Sequence, residues 1–325
     1  MPAMHAGKMR TADVFDYGHG ISAVDSVYDR RMQTAIHLLV EGGRAAIIDT
    51  GTAHAVPQVL AALEAKRIAP EQVDYVILTH VHLDHAGAAG QLMARFPSAR
   101  LTVHPRGARH MIDPSRLVAA TVAIYGEAET RRLYGEILPV PAARVTETPE
   151  GARLRLAGRE LLFLDAPGHA RHHVVVRDAQ TGHIFAGDTF GLSYRELDQD
   201  GRQFSFPTTS PSQFDPAELH RSIDRMLTLG PQALYVTHFG RLTNLTPLAD
   251  DLHRLIDAHA ALGESCRRAG RARKRLLKEG VSALVLAERE RQGWRLPSEK
   301  VLEVFALDIE LNAQGLESWL DSEGK

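Results

Sequence analysis

The chain has 325 residues, about two domains' worth at roughly 150 residues each, though one large domain with an appendage fits equally well. With 44% hydrophobic and 24% charged residues, 26 Gly and 16 Pro, it is no collagen-like, disordered or disulfide-stapled chain. The 38 basic and 40 acidic side chains create no overall field for nucleic acid or membrane, and the single cysteine, Cys266, can supply neither an intrachain disulfide nor a thiolate-rich metal site.

In chain order, residues 1–11 carry Lys8 and Arg10 with no apolar run behind them. No stretch of about 18 apolar residues follows anywhere, so a cytoplasmic protein without a membrane segment is expected. Apolar runs at 35–40 and 45–48 flank Glu41-Gly42-Gly43-Arg44 and predict a β-hairpin that ends at Asp49. A helix is expected over 56–67, a strand over 73–78, a helix over 88–96 and a short strand over 100–103. Residues 105–134 read as mostly helical with poor periodicity. Hairpins follow at 154–164 and 174–186, then a loop over 191–215, a helix over 216–229 and a last strand at 233–236. A loop of about 25 residues inside a compact domain is usually functional. Beyond residue 246 only helices are expected, with an Arg/Lys-rich middle. The predicted division is therefore a catalytic domain over 1–247 and a helical subdomain over 248–325.

The anomaly is histidine, at 17 residues. Thr79-His80-Val81-His82-Leu83-Asp84-His85 follows the 73–78 strand. Alternate side chains of an extended segment point the same way, so His80 and His82 can reach one ion, while Asp84 and His85, past the turn, can face a second. Open α/β sheets place their ligand sites at such strand ends. His169, Asp188 and His238 also come just after, or at the end of, predicted strands. Together with the first four they give seven candidate ligands, enough for two metals. Imidazole and carboxylate suit Zn, Fe or Mn.

In that order the residues resemble the metallo-β-lactamase superfamily, whose motifs are an Asp after an early strand, H-x-H-x-D-H, a later His, an Asp and a final His. The resemblance covers about residues 11–245 and implies an α/β fold, an αβ/βα sandwich with its site at one edge. It implies that His80, His82 and His169 hold one divalent metal, most simply zinc, that Asp84, His85 and His238 hold another, and that Asp188 bridges them. Asp49 would steady the loop by hydrogen bonds.

Two divalent ions with Asp84, Asp188 and a bridging hydroxide leave a net charge of about plus one, suited to anionic or polarised oxygens. The chemistry expected is attack by that hydroxide on an ester-type bond (phosphoester, carboxylate ester, lactone or thioester) of a small, anionic substrate, with Asp84 taking a proton. His173 matches a histidine common in glyoxalase II-like hydrolases and is read as structural or substrate-side. Lactonases with this core carry a Tyr where Gly191 stands, and Tyr194 could substitute. The basic residues that bind glutathione in glyoxalase II have no counterpart. Two other readings stay open: an RNA nuclease using Arg267, Arg268, Arg271, Arg273, Lys274, Arg275 and Lys278 as a phosphate track, and a non-catalytic metal-binding sensor. The tract lacks interleaved aromatics for base stacking. The apolar stripes of the tail must be buried, on the sandwich or in a homodimer.

Overall fold

The computed structural model describes residues 12–209, 211 and 213–323. Seven strands, β1 (Val14–Asp16), β2 (Ile21–Asp25), β3 (Ala35–Glu41), β4 (Arg44–Ile48), β5 (Val73–Ile77), β6 (Arg100–Val103) and β7 (Val145–Glu147), form one sheet in sequence order. Six more, β8 (Arg153–Leu156), β9 (Arg159–Asp165), β10 (Val174–Asp178), β11 (Ile184–Leu192), β12 (Leu234–His238) and β13 (Gly240–Leu242), form the other in reverse order. Both sheets are mixed: β4 to β7 run parallel, as do β11 and β12.

The strand period of two builds three layers of core. In β4, Ala46 and Ile48 face the other sheet with Phe163, Val176 and Phe185, while Ala45 and Ile47 face the outer helices α1 (Val56–Ala65) and α3 (Ala89–Arg95). Between these helices lies a single turn, α2 (Leu83–Ala86), and after β6 come α4 (Pro105–Ile112), α5 (Ser115–Tyr125) and α6 (Glu127–Tyr134). On the second sheet, Val175, Ile184, Ala186 and Val236 turn outward onto α7 (Pro216–Thr228) and α8 (Leu245–Cys266). The same apolar cluster continues into α9 (Arg273–Gln292), α10 (Ser298–Val304) and α11 (Ala306–Glu323). The expected division at 247/248 thus falls inside α8. At the end of the sandwich away from the loops that follow β5 and β9, the Arg159 guanidinium reaches across β9 and β10 to both oxygens of Asp178, at 2.9 and 2.5 Å, with no exposure of either side chain.

The hairpins and the 100–103 strand lie where the residue pattern places them. Strands β1, β2, β7 and β13 carry no alternation to announce them: three are only three residues long, and β2 is buried throughout. The loop expected over 191–215 is partly ordered by pairing, since β11 runs on to Leu192, which exchanges two 2.9 Å backbone hydrogen bonds with Phe206. Among the described residues no helix is long and apolar enough to cross a membrane.

Candidate metal centre

Four strand ends and the middle of a fifth strand converge at one edge of the sandwich. Asp49 follows β4, residues 79–85 follow β5, His169 lies beyond β9, Asp188 sits within β11 and His238 ends β12. Thr50 fixes the loop after β5, donating to the His85 carbonyl from its backbone N at 2.6 Å and from Oγ1 at 2.8 Å.

The outward ring nitrogens of four histidines meet acceptors. His169 Nδ1 lies 3.0 Å from the Thr208 carbonyl, His238 Nδ1 3.0 Å from the Gln33 carbonyl and His85 Nδ1 2.8 Å from Asp49 Oδ2. Carbonyl and carboxylate oxygens only accept, so these nitrogens carry the hydrogens. Thr79 Oγ1 gives its one hydrogen to Asp49, at 2.9 to 3.0 Å, and so accepts from His80 Nδ1 at 3.2 Å. Each Nε2 is left as a lone pair directed inward.

Inside, His82 Nδ1 stands 2.9 Å from His80 Nε2 and 3.0 Å from His169 Nε2. His85 Nε2 is 3.3 Å from Asp188 Oδ1 and 3.5 Å from Asp84 Oδ2. Asp188 Oδ2 is 3.5 Å from His238 Nε2 and 3.6 Å from His169 Nε2, so this carboxylate touches both groups. The centre holds three sets of potential ligands, His80/His82/His169, His80/His85/Asp188 and Asp84/His85/His238, each with its atoms within 4.8 Å of one another. His85 Nε2 and Asp188 Oδ1 are buried without a hydrogen-bond partner. Crowded lone pairs and unpartnered buried acceptors need positive charge between them. The donor set fits two divalent cations.

Protons compete for the same positions. Burial opposes charge on His238, but Asp188 and Asp84 outweigh it and push its pKa up to about 10. Burial likewise opposes charge on His85, and Asp188, Asp84 and Asp49 overcome it. Burial and neighbouring rings hold His80 and His82 well below the ordinary histidine value. Asp84, despite burial, is pulled down to about 2 by His85 and His238.

Asp49 and His173 lie just outside the converging atoms. Asp49 accepts from Thr79 N at 2.8 Å, from His85 Nδ1 and from Thr237 Oγ1 at 2.9 Å, linking β4, β5 and β12. His173 Nε2 accepts from Asp188 N at 3.1 Å and so orients the carboxylate that touches both groups. A Cβ at Gly187 would lie 2.5 Å from that nitrogen, and φ is +51° there, so only glycine allows the approach. Tyr194 is fully buried, and its hydroxyl donates at 2.9 to 3.0 Å to Asp308, a carboxylate that lines the cavity beside His238.

A cavity of about 460 Å³ opens above His82, Asp84, Asp188 and His238, walled by α5 on one side and α11 on the other. The Asn312 side chain of α11 donates to the Pro207 carbonyl at 2.9 Å and accepts from Thr209 N at 2.8 Å, clamping the segment whose Thr208 carbonyl fixes His169. No residue pattern announces these supports, because Gln33 and Thr208 act through backbone carbonyls that every residue possesses. In the basic tract, Arg267 pairs with Glu264, Arg273 with Asp321 and Arg275 with Glu279, and Lys274 and Lys278 share Glu310.

Comparison with known proteins adds to this geometry. Residues 29–238 match the sequence profile of the metallo-β-lactamase superfamily. The chain belongs to that superfamily. It is 31% identical over 198 residues to a hydroxyacylglutathione hydrolase of Xanthomonas axonopodis pv. citri, covering 61% of this chain and 56% of that one. A hydroxyacylglutathione hydrolase of Aeromonas hydrophila is 28% identical over 203 residues, 61% of this chain and 58% of that one. The chain thus spans little more than half the length of these relatives. Among solved structures, an archaeal superfamily protein from Sulfolobus tokodaii aligns over 92% of this chain and 99% of its own, with TM-score 0.61 and 18% identity. A family protein from Thermus thermophilus covers 94% of each chain at TM-score 0.59 and 22% identity. The likeness to both is one of fold, and their coverage takes in most of the chain.

Proposed function

We propose that the chain is a metal-dependent hydrolase of ester-type bonds holding two divalent ions, zinc by preference. The observation that carries this reading is Asp188, whose Oδ1 faces His85 while its Oδ2 faces His238 and His169. His80, His82 and His169 would hold one ion, Asp84, His85 and His238 the other. When bound, such ions supply Lewis acidity, activating water and polarising the oxygen of the bond to be cleaved. The chain's own residues do the rest. Asp84, which lines the cavity beside Asp188 and His238, would orient the attacking water and take up its proton. The carbonyls of Gln33 and Thr208 and the carboxylate of Asp49 hold a ring hydrogen outward, so the inward nitrogens are aimed to ligate once an ion displaces the proton that Asp84 and Asp188 draw to His85 and His238.

The activity of the relatives the chain resembles, hydroxyacylglutathione hydrolase, favours an acyl bond over a phosphoester. Acidic partners on Arg267, Arg273, Lys274, Arg275 and Lys278 favour a solvated helix face over a track for RNA. Metal analysis with a panel of phosphodiester, carboxylate ester, lactone and thioester substrates tests the reading. About two metals per chain with turnover of an acyl ester are expected; a metal-loaded protein inert on every class would overturn it in favour of a sensor.

A further inference from the structure

Helix α5 is made of Ser-Arg-Leu-Val-Ala-Ala-Thr-Val-Ala-Ile-Tyr, yet none of its residues is buried. A surface helix normally turns its apolar stripe into the core. Here Leu117, Ala120 and Ile124, spaced at helical intervals, line the cavity over the metal centre. Ile124 is 46% exposed, and only Val27 and Ile112 accompany it among exposed large hydrophobics of the described residues. Across the cavity, Leu307 and Leu311 of α11 present a second apolar stripe one helical turn apart.

Several polar groups of the cavity lining are already engaged within the protein, whereas Gln33 Oε1 and His172 Nδ1 are buried without a hydrogen-bond partner among the described residues. Thr121 Oγ1 donates to the Leu117 carbonyl at 3.0 Å, the Tyr28 and Tyr134 hydroxyls bond each other at 3.1 Å, and Asn312 is held by Pro207 and Thr209. The rim differs. Arg109 and Arg116 line the cavity and are exposed, and among the described residues neither has a carboxylate within ion-pair distance. Asp113, between them in sequence, accepts from Ser115 N at 3.1 Å and feels the Arg116 charge without forming an ion pair with it. Arg109 Nε lies 3.3 Å from His110 Nε2, so a third titratable group joins this rim.

Resting on the hydrolase reading above, we propose that the substrate is an ester or thioester joining an apolar acyl chain to an anionic carrier. The acyl chain lies between α5 and α11, the scissile carbonyl sits over Asp84 and Asp188, and the carrier's anionic groups reach Arg109 and Arg116. Water adds its oxygen to the carbonyl carbon and the bond from that carbon to the carrier's sulfur or oxygen breaks. One proton of the water goes to the carrier as thiol or alcohol and the other to Asp84 and then solvent, leaving the acyl group as a carboxylate. Burying the chain draws on the exposed apolar walls, at about fourfold in affinity for each methylene fully removed from water. The arginine contribution weakens with salt because the rim is exposed.

Calorimetry on the metal-loaded protein tests this with uncleavable thioethers. S-octyl-coenzyme A should bind at least tenfold more tightly than coenzyme A. Ile124→Ser should cut that gain severalfold, and Arg109→Gln with Arg116→Gln should weaken the thioether about tenfold at low salt. S-octylglutathione separates carboxylate from phosphate as the recognised anion; either one, if sensitive to the arginines, supports the proposal. An octyl chain that adds no affinity, or arginine variants without effect on either thioether, would overturn it. Turnover is read separately, on acetyl and octanoyl thioesters. Tight thioether binding without ester turnover would strike the hydrolase reading and leave the pocket assignment standing, whereas turnover without chain-length preference would strike the pocket assignment alone.

Discussion

The floor and the walls of the cavity are held by opposite kinds of contact. On the floor His80, His85 and His169 are completely buried, with a partner on each outward ring nitrogen and a lone pair on each inward one. On the walls α5 leaves Ile124 in solvent and only half-buries Leu117 and Tyr125, and among the described residues Arg109 and Arg116 have no carboxylate within ion-pair distance. A rigid, pre-oriented floor holds ions with little reorganisation, and so sets the class of reaction. The apolar walls stay exposed until a ligand covers them, and so set what is recognised.

Four measurements break or sharpen this contrast. The largest effect is expected on the floor: Asp188→Ala removes the carboxylate shared by both groups and should lower activity on the order of a thousand-fold, equivalent to about 4 kcal/mol, with loss of bound metal by elemental analysis. Full activity and metal content in that variant would dissolve the distinction. Next is the far end of the sandwich, where Arg159 and Asp178 form a buried pair. Asp178→Asn should cost about 3 kcal/mol in denaturant unfolding, by leaving the buried guanidinium with Glu41, at 3.1 Å, as its one remaining carboxylate among the described residues, while metal content stays unchanged.

Behind the α11 wall, His259 is fully buried in α8, its Nδ1 on the Leu255 carbonyl and its pKa pushed down to about 4 by burial. Its folded pKa is below the unfolded value, so the unfolded chain binds the extra proton and stability falls as pH drops from about 6.5 towards 4. By pH 5 the loss from this residue is about 2 kcal/mol, and a His259→Leu variant should show a correspondingly flatter profile of unfolding free energy against pH. An unchanged profile would mean that His259 is not held neutral. The smallest effect joins wall to floor: Asn312→Ala frees the segment carrying Thr208 and should weaken metal affinity about tenfold through His169. Equal affinity in a chelator titration would show that α11 closes the cavity without steadying its floor.

The floor was legible in the sequence because its ligands are side chains at tight spacing: His80, His82, Asp84 and His85 lie within six consecutive residues, and His169 and His238 sit at or near strand ends that hydrophobic runs announce, whereas Asp188 lies inside β11, which runs on past the apolar run to Leu192. The supports of that floor were not, since Gln33 and Thr208 act through carbonyls and Asn312 through a contact more than a hundred residues away in sequence. The walls were illegible for a different reason. Residues 105–134 gave no clean period because the apolar face of α5 lines a cavity rather than the core. Tyr194 adds a partner that local spacing cannot reveal: its hydroxyl is bound to Asp308 of α11, which lines the cavity.

The central claim is that Asp188 joins two metal positions with separate sets of ligands. Metal analysis of the wild type beside His82→Ala and His238→Ala variants, with anomalous scattering to locate the ions, tests it most directly. Two ions per wild-type chain on either side of Asp188 are expected, with His82→Ala emptying the position shared with His80 and His169, and His238→Ala the position shared with Asp84 and His85. One ion at most in the wild type, or loss of the same position in both variants, would contradict it.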